Sequence, residues 1–266
     1  MKKNSILDYY ARRGLAFLHG GGKNATDQLI HCMQLRGNEK ILEIGYGTGA
    51  TLIRLHHLYP DLLLYGIECS ATMHRQAIKR HRFVGLPVNN LHLASPDQFP
   101  YPFESCFFDL IYLESVLSIL SVEEIKKILS EILRLLKPNG LFVLNESIWL
   151  DALSNQEKQE LALKSIQLLG IPMAHQTLFT VQDWHHLFRN SGFEVIKTQP
   201  VNPSLKMYKH TIKDRISNIF NLYQRFIHVF ESDQKKWENA ILILNKYIKP
   251  GISRMEATIF VMRTMT

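Results

Sequence analysis

The sequence predicts an α/β fold with a doubly wound, mostly parallel sheet. Three observations carry this. The run Lys40-Ile41-Leu42-Glu43-Ile44 reads as a strand that breaks at Gly45-Tyr46-Gly47-Thr48-Gly49 and gives way to a helical pattern at Leu52, Ile53 and Leu55. A second apolar run, Leu62 to Ile67, ends in Glu68 and is nearly continuous, as a strand covered on both faces requires. Strand-like and helix-like segments then alternate regularly as far as Leu144.

The 266 residues suffice for one large α/β domain with insertions. A hydrophobic content of 46% and a charged content of 21% are those of an ordinary globule, and no apolar run is long enough to span a membrane. Basic Met1-Lys2-Lys3-Asn4 is not followed by an apolar signal core, and Cys32, Cys69 and Cys106 have neither paired nor metal-like spacing. The expectation is therefore reduced thiols, no metal and a cytoplasmic location. The formal charge of +7 admits an anionic partner, but the charges are dispersed, and a solvated basic surface accounts for them more simply.

In chain order, Tyr9-Tyr10 and Arg12-Arg13 precede His19-Gly20-Gly21-Gly22, a segment poor in helix propensity and suited to a flexible or close-approach loop. Asn24 or Thr26 is placed to cap the next helix, whose apolar side carries Leu29, Ile30, Met33 and Leu35. After the glycine turn a helix runs to Tyr59-Pro60. A helix over 71–81, a short strand near 91–93 and a fourth strand over 107–113 come next. Ser121-Val122-Glu123-Glu124 fits a capping box, and the helix behind it buries Ile125, Ile128, Leu129, Ile132 and Leu136. Lys137-Pro138-Asn139-Gly140 stops that helix, and 141–144 is the fifth strand. Beyond it, 154–170 reads as helix, Thr180 opens a short helix, and 193–196 and 256–262 are the last two strands. Two helices lie between these strands, about 206–231 and 233–248. The first carries an aromatic stripe over 216–230, better read as core packing than as a substrate pocket. It also carries Lys206, Lys209, His210 and Lys213, better read as a solvated face than as a phosphate site. No linker justifies a second domain. Residues 1–266 form one domain, with an N-terminal helical lid (1–36), a ligand-binding core (37–147) and a substrate-side half (148–266) bearing a helical cap at about 201–250.

The glycine turn fixes the kind of ligand. Gly45, Gly47 and Ala50 satisfy the dinucleotide pattern, with Glu68 where a ribose-binding acid belongs, but that motif alone is weak. The third glycine at Gly49 departs from it. Glu43 departs further, because an ionised carboxylate at the end of a buried strand is costly unless a cation meets it. Such an acid repels a pyrophosphate and favours a ligand that carries an ammonium and a sulfonium. The alternative for Glu43 is a salt bridge to a local Lys or Arg.

Glu43-Ile44-Gly45-Tyr46-Gly47-Thr48-Gly49 resembles the first motif of the class I S-adenosylmethionine-dependent methyltransferases. Ile67-Glu68-Cys69-Ser70 with Met73 is similar to the ribose motif and its adenine-packing neighbour. Phe99-Pro100-Tyr101-Pro102-Phe103 with Phe108-Asp109-Leu110-Ile111, and Leu135-Leu136-Lys137-Pro138-Asn139-Gly140-Leu141, are similar to two further family segments in the correct order. The resemblance covers roughly residues 15–147 and is nearest to the small-molecule branch of ubiquinone/menaquinone, sarcosine and sterol methyltransferases. It implies a Rossmann-like, doubly wound seven-stranded sheet with an antiparallel last strand and helical cap insertions. It also implies S-adenosylmethionine as cofactor, with S-adenosylhomocysteine as product. Glu43, Gly45, Tyr46, Gly47 and Gly49 would hold the methionine part and Glu68 the ribose hydroxyls. Cys69, Met73, Ser95, Pro96 and Leu113 complete the expected cofactor set. Two positions depart from the family: Ser95 stands where an adenine-binding Asp is usual, with Asp97 nearby, and Ile119 stands where a His is usual.

Ligands of open α/β sheets bind outside the carboxyl ends of the strands, which makes Tyr9, Tyr10, His19, Glu114, Glu146, Trp149 and His175 candidates at the mouth. His19 and Glu114 are the expected catalytic residues, and Tyr10, Glu146 and Trp149 the expected substrate contacts. The leading reading is methyl transfer to a small molecule by a monomer or homodimer. RNA or protein methylation is the runner-up, and a cofactor-binding scaffold without turnover is the third.

Overall fold

The computed structural model describes residues 5–95, 98–208, 234–247 and 254–265. Two short helices come first, α1 (Ile6–Arg12) and α2 (Gly22–Met33). The alternating core follows: β1 (Lys40–Ile44), α3 (Ala50–Leu58), β2 (Leu63–Glu68), α4 (Ala71–Phe83), β3 (Leu91–Leu93), β4 (Phe108–Glu114), α5 (Val122–Leu135) and β5 (Leu136–Trp149). The second half comprises α6 (Asn155–Leu169), α7 (Val181–Asn190), β6 (Phe193–Pro200), α8 (Gln234–Tyr247) and β7 (Met255–Thr264).

One seven-stranded sheet has the order β3-β2-β1-β4-β5-β7-β6, with β1 to β5 parallel and β7 antiparallel to both of its neighbours. The chain winds outward in opposite directions from β1 and β4, so a crevice opens between their carboxyl ends. Alternation along the strands feeds two cores. Leu42, Ile44, Ile111 and Leu113 pack under α5 and α7 with Leu129, Ile132, Trp184 and Phe188. Ile41, Leu110 and Tyr112 pack on the opposite face with Leu29, Ile30 and Leu55 of α2 and α3.

The predicted sheet and its antiparallel last strand match this architecture. The capping boxes at Ser121 and Thr180 are formed, with Glu124 and Asp183 closing them. Several boundaries differ. Helix α2 starts earlier than predicted: left-handed Gly21 (φ +77°) is its cap, so Asn24 and Thr26 lie inside the helix and Thr26 is free to bond elsewhere. Strand β5 extends well past Leu144, because β7 pairs with it continuously from Leu141 to Trp149. At its start, 137–140 form an irregularity in the ladder with β4. Residues 206–208 are not helical. The rest of the predicted 206–231 helix, including Lys209, His210, Lys213 and the stripe at 216–230, lies outside the described residues. The predicted 233–248 helix corresponds to α8.

Candidate functional site

The crevice is organised by three carboxylates at strand ends. Glu43 lies near the end of β1, Glu68 ends β2 and Glu114 ends β4, and all are buried. The glycine turn runs between them. Gly45 N–H donates to Ile67 O at 2.8 Å and Gly49 N–H to Tyr46 O at 2.9 Å, which folds the turn back on itself before Gly49 opens α3. Gly45, Gly47 and Gly49 all have positive φ, the region that favours glycine. A Cβ on Gly45 would lie 2.5 Å from Val116 Cγ2, whereas one on Gly47 would meet nothing within 4 Å. Bare backbone at Gly47 thus faces open space that a ligand can enter.

Glu43 accepts a 2.8 Å hydrogen bond from the Tyr112 hydroxyl. Its partner is a phenol rather than the Lys or Arg of the salt-bridge alternative. Burial pushes the Glu43 carboxyl well above the usual range, the charges of Glu114 and Glu68 push it the same way, and the Tyr112 bond opposes them. Glu68 accepts from Gly47 N–H at 2.8 Å and Ser70 N–H at 2.7 Å. Burial raises it too, partly offset by these backbone donors. The Cys69 backbone N–H and thiol also donate to this carboxylate. Glu114 accepts from Thr26 Oγ1 at 2.8 Å and Thr51 Oγ1 at 2.7 Å and lies 3.2 Å from His19 Nε2.

The N-terminal segment forms the roof. Thr48 Oγ1 donates to Leu15 O at 3.0 Å, and the buried Arg80 guanidinium donates to Gly14 O at 2.9 Å and Leu15 O at 3.3 Å. Ser70 Oγ donates to Asp8 Oδ1 at 3.1 Å. Asn145 Nδ2 donates to Gly20 O at 3.0 Å and lies 3.4 Å from His19 Nδ1. His19 is therefore engaged at both ring nitrogens, by Glu114 and Thr26 on one side and by Gly20 and Asn145 on the other.

A cavity beneath this roof and a second one beside it share Gly45, Cys69, Val116 and Ile119 as walls. One, of about 120 Å³, brings together Phe17, Leu18, His19, Glu43, Tyr46, Gly47, Glu68, Met73 and Glu114. The other, of about 320 Å³, is lined by Ser95, Phe99, Tyr101, Ile128 and Lys127 among others. Expected cofactor residues Glu43, Gly45, Tyr46, Gly47, Glu68, Cys69 and Met73, together with catalytic candidates His19 and Glu114, line the first cavity, and Ser95 lines the second. Gly49 sits just behind, as the cap of α3.

Other expected residues fall elsewhere. Leu113 is wholly buried on the sheet face under α5 and α7, because alternation turns it away from Tyr112 and the crevice. Glu146 is wholly buried, with its carboxylate taken up by Leu117 and Ser118. Trp149 packs with Leu153, Leu161 and Ala174, and its Nε1 donates to His175 O at 2.8 Å. Tyr10 lies against Tyr9, their rings tilted at 46°, in a groove between α1 and α8 formed with Arg13 and Trp237. Buried His175 accepts from the Thr177 and Leu178 N–H groups. Pro96 and Asp97 lie outside the described residues. Sequence reasoning missed Thr26, Thr51, Tyr112 and Val116. Of these, only Tyr112 had a signal, as a hydroxyl within the fourth strand able to answer a buried acid.

The donor set suits a ligand with a cationic centre. Three buried carboxylates converge, Glu43 is held in an unfavourable environment for its charge, and backbone is bare at Gly47. That is the polarity and the cradle that the amino and sulfonium groups of S-adenosylmethionine require, with Glu68 placed for a diol.

A family model described as "Methyltransferase domain" matches residues 41–140. An uncharacterized protein of Haemophilus influenzae is 30% identical over 191 residues, 72% of either chain. The uncharacterized methyltransferase YodH of Bacillus subtilis is 27% identical over 212 residues, covering 79% of this chain and 84% of that one. Among solved structures, phosphoethanolamine N-methyltransferase 2 of Haemonchus contortus in complex with S-adenosyl-L-methionine superposes with a TM-score of 0.67 at 16% identity, over 98% of this chain and 57% of that one.

Proposed function

Since the chain belongs to the class I S-adenosylmethionine-dependent methyltransferases, we propose that its methyl acceptor is a small molecule, taken up beneath the N-terminal roof. One observation carries this reading. The cavity beside Glu43 and Gly47 is covered by Leu7, Phe17, Leu18 and His19, and the roof is pinned through Thr48, Arg80, Ser70 and Asn145. A nucleotide or side chain still attached to a macromolecule would have to displace that segment, whereas a small acceptor is enclosed by it.

S-adenosylmethionine, when bound, supplies a methyl group already activated on a sulfonium sulfur. The chain's own work is to hold, align and exclude water. Glu43 and the backbone at Gly45 and Gly47 would hold the methionine end, Glu68 the ribose hydroxyls, and Cys69, Met73 and Ser95 the adenine. Closure by 5–20 removes water and strengthens every electrostatic contact inside. At the acceptor side, the His19–Glu114 pair takes the proton that a hydroxyl or ammonium acceptor must lose, once the acceptor displaces one of the bonds His19 now makes.

The same reading treats the chain as one domain with lid, core and substrate-side half, acting in the cytoplasm as a monomer or homodimer. Its free cysteines Cys32, Cys69 and Cys106 accord with a reducing compartment. No helix among the described residues is long and apolar enough to cross a membrane.

The test is transfer of labelled methyl from S-adenosylmethionine into a cell extract that is then fractionated. Label in the small-molecule fraction is expected. Label in RNA or protein would replace this reading by the macromolecular one, and binding of S-adenosylmethionine with no label transferred to any fraction would leave the cofactor-binding scaffold.

A further inference from the structure

We propose that Glu146 is a positioning residue for the methyl-donor cavity: it fixes the turn after β4 whose Val116 and Ile119 form the wall shared by the cavity's two halves. The inference rests on reading that cavity as the donor site. Glu146 sits on β5 beside the β7 ladder and is wholly buried, so it does not touch a ligand itself. Both carboxylate oxygens instead bind one segment. Oε1 accepts from Leu117 N–H at 2.8 Å, and Oε2 accepts from Ser118 N–H at 3.3 Å and from the Ser118 hydroxyl. Leu117–Ile119 is a single 3₁₀ turn, too short to hold its own shape, and its first N–H groups have no partner within it. Glu146 supplies that partner from the neighbouring strand.

The turn matters because of what flanks it. Val116 and Ile119 line both cavities, and Val116 Cγ2 is the atom that a Cβ on Gly45 would meet at 2.5 Å. The wall therefore rests directly on the glycine turn. Burial raises the Glu146 carboxyl to about 7 even though the converging donors, the Ser118 hydroxyl and the backbone N–H groups of Val116, Leu117 and Ser118, act to lower it. An amide at this position would turn one N–H₂ toward those donors and satisfy fewer of them. An apolar residue would leave all of them unmet.

Calorimetric titration with S-adenosylhomocysteine, paired with thermal melts, tests the proposal on wild type, Glu146→Gln, Glu146→Leu, Ser118→Ala and a core control on the same strand, Ile148→Val. Affinity should fall by about tenfold or more in Glu146→Leu and by less in Glu146→Gln and Ser118→Ala. Ile148→Val should bind within about twofold of wild type despite its lower melting temperature. If Glu146→Leu does not fold, the two milder variants carry the comparison. Wild-type binding with undiminished affinity in the Glu146 and Ser118 variants overturns the positioning role alone, as does an equal loss in Ile148→Val. Absence of wild-type binding overturns the donor-site reading, and the proposal with it.

Discussion

The Tyr112 hydroxyl donates to Glu43 Oε2 at 2.8 Å, between two side chains that the register of β1 and β4 sets directly side by side. This hydrogen bond lowers the Glu43 carboxyl, against burial and two neighbouring acids that raise it. A cation arriving at Glu43 then completes the compensation that the protein leaves partial.

Cofactor binding should therefore release protons. Glu43 carries a raised pKa in the free protein, and a neighbouring cation lowers it, so binding drives ionisation. The apparent enthalpy of S-adenosylmethionine binding near neutral pH should vary linearly with the ionisation enthalpy of the buffer, and affinity should fall as pH falls. Tyr112→Phe removes the lowering bond, raises the Glu43 pKa further and moves that loss of affinity to higher pH. Identical heats in all buffers would contradict this.

Stability carries the opposite sign. The folded-state pKa of Glu43 lies above its unfolded value, so the group reduces stability progressively as pH rises from the unfolded value through the folded one, and the penalty is complete above it. Glu43→Gln should melt at a higher temperature than wild type at neutral pH, with the advantage shrinking at acid pH, while cofactor binding is lost. A destabilised Glu43→Gln would show that the carboxylate is compensated within the chain.

Two glycines of the turn separate strain from obstruction. Gly45→Ala meets Val116 as well as an unfavourable φ of +78°. Gly47→Ala meets nothing and carries only its backbone cost of about 1 kcal/mol at φ +54°. Melts should show Gly45→Ala the less stable. Titrations should show Gly47→Ala losing more affinity than its small change in stability accounts for, because its methyl enters the space the ligand needs.

The roof makes a kinetic prediction. Burial lowers the Arg80 guanidinium to about 10, yet it remains charged at neutral pH and ties Gly14 and Leu15 to α4. Arg80→Met should raise the dissociation rate of S-adenosylhomocysteine by about tenfold or more, as read by stopped-flow, and make 14–20 more sensitive to protease. His19→Ala should leave cofactor affinity near wild type and reduce turnover of the acceptor found by label transfer by about 10²-fold. Unchanged turnover would remove His19 from the proton path.

What the sequence revealed and what it hid follow from range. The β1 strand, its glycine turn and the acids at 43, 68 and 114 are local patterns, and so are the capping box at Ser121 and the helix start at Thr180. The roles of Glu146 and Trp149 depend on which side of β5 faces the crevice, and β5 is longer than its own apolar run because β7 pairs along it. Thr26 looked like a cap because hydroxyls usually serve there. Left-handed Gly21 took that place and freed Thr26 for Glu114. Tyr112 became a partner of Glu43 only through pairing of strands far apart in the chain.

The most direct test of the central claim is titration of the purified chain with S-adenosylmethionine beside its Gly45→Val variant, with the fold of both checked by circular dichroism. The account predicts one site per chain in wild type and no measurable binding in the folded variant. Equal affinity in the two, or none in wild type, would contradict it.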